Sequence, residues 1–174
     1  MRFPLVLVAL SLAACGDAEP PAPDPAPAPP VADDGRPSVA SVVASNGRLR
    51  TTARLLAASG LDATLRDTST AYTLFAPSDD AWAALGDDAV AALEADPAAL
   101  RSALLGHVLG TRMLSFDVFP DLSFETEGGT EITFADAGEG LAVRSASGSG
   151  RITDADLDAD NGVVHILDAV LSTP

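Results

Sequence analysis

Eight prolines within residues 16–37 constrain this chain more than any other feature. They occupy positions 20, 21, 23, 25, 27, 29, 30 and 37. Proline lacks the backbone N–H, and its neighbours here are mostly alanine and aspartate, so the segment can bury no apolar surface and form no regular structure. We predict an extended spacer that reaches up to roughly 70 Å, at about 3.1 Å per residue. Residues 38–174 then remain for a single folded domain.

The spacer follows a predicted signal peptide at residues 1–14. Arg2 supplies positive charge, residues 3–10 are apolar, and small residues follow. This apolar run is shorter than the ~20 residues that span a bilayer. Leu12-Ala13-Ala14-Cys15 resembles the bacterial lipobox, whose cysteine is lipidated and becomes the first mature residue. We predict a lipid anchor at Cys15, with the lipidated cysteine and spacer forming residues 15–37; the alternative is an ordinary signal peptide with an unrelated cysteine.

The charge balance excludes several classes of partner. The chain has 25 acidic residues and 10 basic residues, all arginine, for a net charge of −15. Nucleic acid binding needs clustered cations, and docking on anionic lipid needs a basic face. With one cysteine, neither an internal disulfide nor a cysteine-based zinc site can form. The absence of lysine fits salt adaptation and a high-GC genome equally well.

Apolar spacing and turn residues predict an α+β domain in which helices precede most strands. Residues 39–66 are helical in pattern and are interrupted at Asn46-Gly47. Ser78 and Asp96 are helix caps, and Gly86 and Gly106 are helix ends. The other predicted helices cover 81–85, 87–94 and a segment that starts at Asp96-Pro97. The predicted strands cover 72–76, 122–126, 130–134, 141–144 and 163–171, and glycine-rich turns separate the later ones.

Three segments resemble the fasciclin-like domain family. Residues 73–82, TLFAPSDDAW, resemble its first signature, residues 104–109 its central segment, and residues 161–171, NGVVHILDAVL, its second signature. Gly106 stands where the family usually has tyrosine. The resemblance covers residues 38–174 and implies a twisted β-sheet wedge with helices packed against it. It also implies adhesion or extracellular binding of protein or carbohydrate, without catalysis, and a structural role for six signature residues: Phe75, Pro77, His107, Asn161, Gly162 and His165.

The two histidines have a structural and a functional interpretation. Asn161-Gly162 is a hairpin signal, because tight turns need positive φ. In the strand that follows, His165 shares a face with Val163 and Leu167. We predict a core histidine bonded to a backbone carbonyl; the alternative is a ligand or an acid–base group. His107 follows a helix end, where its ring can cap a free carbonyl, and is given the same interpretation.

The alternating carboxylates of residues 154–160 resemble a calcium loop only in part. If Asp156 were the first ligand, the sixth position would be Asn161 instead of glycine, and the twelfth would be Leu167 instead of glutamate. We therefore expect no specific metal and no cofactor. The chain has no Gly-Xaa-Ser-Xaa-Gly elbow and no phosphate-binding loop. No constellation of residues supports an enzyme.

The sequence thus predicts a lipid-anchored binding or adhesion module of the cell envelope. We expect it at the outer membrane, on the periplasmic face or the cell surface, with an unidentified protein or polysaccharide partner. The alternative is a periplasmic carrier of a small ligand or metal ion, and an undetected hydrolase is a third, weaker hypothesis. A carrier needs a concave, mostly apolar cleft, whereas an adhesion module exposes an apolar patch.

Overall fold

The computed structural model describes residues 36–136 and 140–171. The predicted signal peptide, Cys15 and the spacer up to residue 35 lie outside the described residues. Within them there are six short helices and seven strands. In chain order these are α1 (Val39–Ser45), α2 (Arg50–Ser59), α3 (Leu61–Thr64), β1 (Tyr72–Pro77), α4 (Asp79–Leu85), α5 (Asp87–Ala95), α6 (Pro97–Leu105), β2 (Val108–Leu109), β3 (Ser123–Glu125), β4 (Glu131–Asp136), β5 (Leu141–Ser145), β6 (Ser149–Ala159) and β7 (Gly162–Leu167).

Side-chain caps determine where the helices begin, as the sequence predicts. The Ser78 hydroxyl accepts the Ala81 N–H at the start of α4. The Asp96 carboxylate accepts the N–H groups of residues 98 and 99 and is followed by Pro97, which needs no donor at the first helical position. Gly86 then ends α4 with φ of 98°, a conformation that glycine adopts without strain. The predicted helices of this region are confirmed, although α4 begins two residues earlier than expected.

The seven strands form one mixed sheet in the order β2-β1-β7-β6-β5-β4-β3. Strands β1 and β7 pair in parallel near its centre, and every other neighbouring pair is antiparallel. The parallel pair aligns Tyr72 with Gly162 and Phe75 with His165. The two segments that resemble family signatures are therefore neighbours in space. The α+β class predicted from the order of elements is confirmed.

The central sheet has a hydrophobic cluster on each face. The larger cluster joins the helices to one face and includes Trp82, Val164 and Ile166. The smaller cluster lies on the other face and includes Phe75 and Leu167, together with residues of β4 and β5. Because β7 is covered on both sides, its sequence is almost continuously apolar, as expected of a buried parallel strand.

Three details of the predicted strands are wrong. The last strand ends at Leu167 instead of residue 171. At the next residue, the Asp168 N–H donates to the Arg151 carbonyl, and the Asp168 carboxylate accepts the Arg151 N–H. The hairpin turn consists of residues 160 and 161, one position earlier than predicted, because Ala159 pairs with Gly162. Strand β6 covers residues expected to be a turn and a carboxylate run. Aspartate is rare in strands, and bulges between Ile152 and Leu157 interrupt the alternation that would have identified this one.

Candidate functional site

The first signature segment is held by two linked, buried hydrogen bonds next to the sheet. The Pro77 carbonyl, at the end of β1, accepts the Thr52 hydroxyl at 2.6 Å. The Trp82 indole N–H donates to the same hydroxyl at 2.8 Å. Because Pro77 has no N–H of its own, the strand ends there and the chain turns into α4. Phe75 and Pro77 thus lie in the structural core of the domain, and neither is exposed.

Asn161 joins three segments from a fully buried position. Its Oδ1 accepts the Val39 N–H at 2.8 Å, and its Nδ2 donates to the carbonyls of Leu65 and Asp67 at 2.9 and 2.8 Å. Its own carbonyl accepts the Tyr72 N–H. The side chain thereby holds the start of α1 and the end of α3 against the β6–β7 turn. The side-chain amide is suited to this position because it donates and accepts at the same time.

His107 is buried at the end of α6 with both ring nitrogens occupied. Nε2 accepts the Leu171 N–H at 2.9 Å, so Nδ1 carries the proton and donates to the Ala103 carbonyl at 2.9 Å. Burial lowers the pKa of His107 to about 4, against the smaller opposing effect of the Ala103 hydrogen bond. The ring therefore ties the helix end to the segment after β7 as a neutral group.

This histidine should make the domain less stable in acid. Since the folded-state pKa lies below the unfolded value of 6.5, the unfolded chain takes up the proton first, and stability falls as pH drops from about 6.5 to about 4. The shift corresponds to about 3 kcal/mol of unfolding free energy. Urea denaturation of wild type and His107→Gln across this range measures it. The difference between the two proteins should shrink by that amount at acidic pH, whereas parallel curves would contradict the assignment.

His165 connects β7 to the segment that follows β2. Nδ1 accepts the Asp156 N–H at 3.2 Å, so Nε2 carries the proton and donates to the Met113 carbonyl at 3.0 Å. The ring stacks on Phe75 with centroids 5.4 Å apart. Burial lowers the pKa of His165, opposed by the Met113 hydrogen bond and the Asp156 charge. Like His107, it has no ring nitrogen left for a ligand or a reacting group.

The carboxylates of residues 154–160 are engaged in contacts within the domain. Asp154 pairs with Arg48 at 2.6 Å. Asp156, at φ of 59°, accepts the Ser115 N–H at 2.7 Å and also the Ser115 hydroxyl. Asp158 pairs with both Arg36 and Arg112. Over residues 36–136 and 140–171, no group of three or more histidine, cysteine, aspartate or glutamate side chains is arranged to hold a metal ion.

The loop between β2 and β3 exposes apolar side chains that our sequence reasoning did not identify. Phe116, Phe119 and Leu122 are 71%, 65% and 38% exposed, and they are the large hydrophobic residues exposed in the described part of the chain. We call these three residues the apolar patch. Val118, between the two phenylalanines, is buried in the smaller core cluster. The sequence around them, Phe116-Asp117-Val118-Phe119-Pro120, has neither a helical nor an alternating apolar pattern, so it carries no signal that would have identified these side chains as exposed.

The apolar patch is held in place by the residues that anchor its loop. Ser115, which begins a 3₁₀ turn at Ser115–Asp117, is bonded twice to Asp156. At the far end, the Asp121 N–H donates to the Phe134 carbonyl, and the Phe134 N–H donates to the Leu122 carbonyl. At the near end, the Met113 N–H donates to the Thr73 hydroxyl, and the Met113 carbonyl accepts the ring N–H of His165. The signature histidine thus holds the backbone at Met113, three residues before Phe116.

The shape of the domain's concavities favours binding on an open surface over binding of a small molecule in a cleft. A partly enclosed one of about 210 Å³ lies between α3, α6 and β1, and Leu61, Tyr72 and Leu105 are among its lining residues. Small-molecule sites usually measure about 300–1,000 Å³ and are enclosed enough to bury most of the ligand. Two larger concavities lie on the outer side of β3, β4 and β5, and both are shallow and open, with mixed polar and apolar walls. Over the described residues, no helix is long and apolar enough to cross a bilayer.

The model of the fasciclin domain matches residues 47–174. The chain belongs to the fasciclin domain family. Transforming growth factor-beta-induced protein ig-h3 of Sus scrofa is 35% identical over 116 residues, which is 67% of this chain but 16% of that protein. Human periostin is 29% identical over 58% of this chain and 12% of its own length. The chain thus spans less than a fifth of these relatives.

Other matches agree on the fold. The uncharacterized protein sll1735 of Synechocystis is 27% identical over 78% of this chain and 97% of its own length. The solved structure of a FAS1 domain pair from the insect cell adhesion molecule Fasciclin I matches with a TM-score of 0.70 and 17% identity. That match covers 78% of this chain and 51% of the solved one, so one of the paired domains corresponds to the domain described above.

At Gly106, where the resemblance led us to expect tyrosine, the turn after β3 lies directly against the backbone. A Cβ built on Gly128 would be 2.7 Å from the Gly106 nitrogen, and the Gly128 N–H donates to the Leu105 carbonyl. In this chain, therefore, the absence of a side chain at Gly128 allows the turn after β3 to contact the backbone at the end of α6.

Proposed function

We propose that this fasciclin domain is a binding or adhesion module that recognises a partner through the apolar patch of Phe116, Phe119 and Leu122. The observation that carries the proposal is the exposure of two phenylalanines on a loop whose backbone is fixed at both ends. Exposed apolar groups that a protein holds rigidly favour association, because little conformational freedom is lost on binding. Aromatic side chains often provide the largest part of an interface's binding energy.

The relatives support an adhesion role. The solved FAS1 pair comes from a cell adhesion molecule, and the other similar proteins, ig-h3 and periostin, contain matching domains. We propose no catalytic activity. His107 and His165 are the histidines of the chain, both are buried, and both have their ring nitrogens engaged by backbone groups. The alternative, a small-ligand or metal carrier, has less support because the partly enclosed concavity is small.

We further propose that a lipid on Cys15 holds the module at the cell envelope. The sequence before residue 36 carries this part of the proposal: a lipobox-like segment followed by a proline-rich spacer. Cys15→Ser should move the protein from the membrane fraction to the soluble fraction, or leave it with its signal peptide uncleaved. Fractionation followed by mass measurement distinguishes these results. A serine variant that is cleaved normally and still sediments with membranes would contradict lipid anchoring.

The binding role is tested by the double variant Phe116→Ser/Phe119→Ser. We expect the purified variant to lose at least tenfold in retention on cells that lack the gene for this protein, because it removes the two largest groups of the apolar patch. Its melting temperature should stay near that of wild type, since both side chains are largely exposed in the free protein. Phe116→Leu/Phe119→Leu is the matched control and should retain most binding. Equal retention of all three proteins would contradict the proposal.

A further inference from the structure

We infer that the partner of the apolar patch is a cationic protein surface, with an apolar pocket surrounded by lysine or arginine. This inference rests on the proposed binding role of the patch and adds the chemistry of its partner. It follows from the charges that surround Phe116, Phe119 and Leu122 and from how few of those charges are neutralised within the domain.

The first two charges belong to the loop itself. Asp117 lies next to Phe116, and its carboxylate accepts the Leu114 N–H at 3.3 Å. Asp121 lies next to Leu122, is exposed, and has a positive φ of 67°. Each end of the apolar patch therefore carries an aspartate.

The next two charges face each other across the neighbouring strand pair. Glu125 in β3 is directly opposite Glu131 in β4, and both are exposed. Like charges at directly opposed positions destabilise a sheet. Strand β3 begins at the residue after Leu122 and is the edge of the sheet, so Glu125 lies three residues along the chain from the apolar patch.

Few cations compensate these four carboxylates. None of them takes part in an ion pair within residues 36–136 and 140–171. Arg112, at the base of the loop, is bonded to Asp158 and to the Ala159 carbonyl. Arg144 lies on the same outer face in the strand next to Glu131, opposite Thr133, and lines one shallow concavity with Glu131 without forming an ion pair with it. The apolar patch is thus bordered by negative charge that the domain itself leaves largely unbalanced.

This charge distribution favours one class of occupant over the others. A second copy of the chain has a net charge of −15 and would be repelled, as would an anionic lipid surface or an acidic polysaccharide. Neutral sugars would gain nothing from unpaired carboxylates beyond hydrogen bonds. A protein that presents an apolar pocket with basic residues around it gains both burial of the phenylalanines and attraction to the border. Charges at the border of an interface act mainly on the association rate and on its salt dependence.

The probe is a random dodecapeptide library displayed on phage and selected against the purified full chain at low salt. Clones that also bind Phe116→Ser/Phe119→Ser are removed. We expect the remaining peptides to combine an aromatic or aliphatic residue with two or more lysines or arginines. Their association rate should fall about tenfold between 20 and 300 mM NaCl, as expected when opposite charges steer association.

Charge variants test the inference on the protein side. Glu125→Gln/Glu131→Gln should slow association of the selected peptides severalfold, with a melting temperature equal to or above that of wild type. Asp87→Asn/Asp88→Asn is the matched control: it removes two exposed carboxylates from α5, which packs in the larger core cluster, and should leave the rate unchanged.

The possible failures are distinguishable. Peptides that need the phenylalanines but are neutral or acidic, with rates insensitive to salt, would overturn the cationic partner and leave the binding role of the apolar patch intact. Phenylalanine-dependent binding to a neutral glycan array, with no peptides selected, would overturn it as well. If every selected peptide also binds the serine double variant, the proposed function itself fails.

Discussion

Replacing Gly162 with alanine should lower the free energy of unfolding by about 4 kcal/mol, near the upper end of the range for a single substitution. A Cβ at this position would lie 1.9 Å from the Tyr72 carbonyl oxygen and 3.0 Å from Cγ2 of Val39. The obstacle on one side is backbone in the parallel pair of β1 and β7, so it cannot rotate away. The strands would have to separate at the point where Tyr72 and Gly162 are aligned.

The structure adds a second reason to the one that the sequence suggested. An Asn-Gly pair predicts positive φ, and φ of Gly162 is 157°, a conformation that residues with a side chain rarely adopt, although the turn itself lies one residue earlier. Both the backbone angle and the contact with Tyr72 therefore oppose a side chain here. Gly60→Ala is the control, because Gly60 has φ of 73° with no atom within 4 Å of the added Cβ. It should cost about 1 kcal/mol. Urea denaturation of both variants measures the difference, and equal losses would contradict the contact argument.

Asn161→Asp should be the second most damaging substitution, at about 3–4 kcal/mol near neutral pH. The change alters one atom, but it replaces the Nδ2 donor with an oxygen that faces the carbonyls of Leu65 and Asp67. A buried group that loses its hydrogen bonds costs about 1–3 kcal/mol, and a buried charge costs more. Asn46→Asp is the matched control. The Asn46 side chain accepts the Arg48 N–H, a role that aspartate performs equally well.

The pH dependence of the Asn161→Asp variant gives a second readout. The buried aspartate should have a folded-state pKa above its unfolded value of about 3.9, because burial and the two facing carbonyls favour the protonated acid. The loss of unfolding free energy caused by this aspartate is therefore smallest at low pH and grows as pH rises through its folded-state pKa. The gap in stability between variant and wild type should be smaller at pH 4 than at pH 7. A gap that is constant with pH would show that residue 161 is not held against those carbonyls.

The parts of the fold that the sequence predicted are those with local causes. Ser78, Asp96 and Gly86 act through neighbours within three residues, so helix boundaries follow from a short stretch of chain. The nearly continuous apolar sequence of β7 likewise indicates two buried faces. Strand β6 was not predicted because its aspartates are stabilised by distant residues: Arg48 comes from one other segment, and Arg112 and Ser115 come from the loop between β2 and β3. The sequence of the strand itself does not indicate those partners.

The candidate site was predicted least well, for a related reason. The signature residues drew attention to buried positions, whereas the exposed apolar patch lies in a loop without a regular pattern. Whether Phe116 and Phe119 are exposed depends on where Ser115 is held, and that depends on Asp156, 41 residues away. Val118 in the same loop is equally apolar and is buried. Short sequences of this kind do not specify which of their apolar residues face inward.

The parallel pairing of β1 with β7 also governs when the domain can fold. The two strands are neighbours in the sheet although about 90 residues of chain separate them, and strands β3 to β6 extend the sheet outward from β7. Contacts between residues far apart in sequence slow folding, because a long loop must close before they form. A chain synthesised N-terminus first therefore leaves β1 without its parallel neighbour until residues 162–167 have been made. The order of the strands thus makes completion of this sheet a late event in the life of the nascent chain.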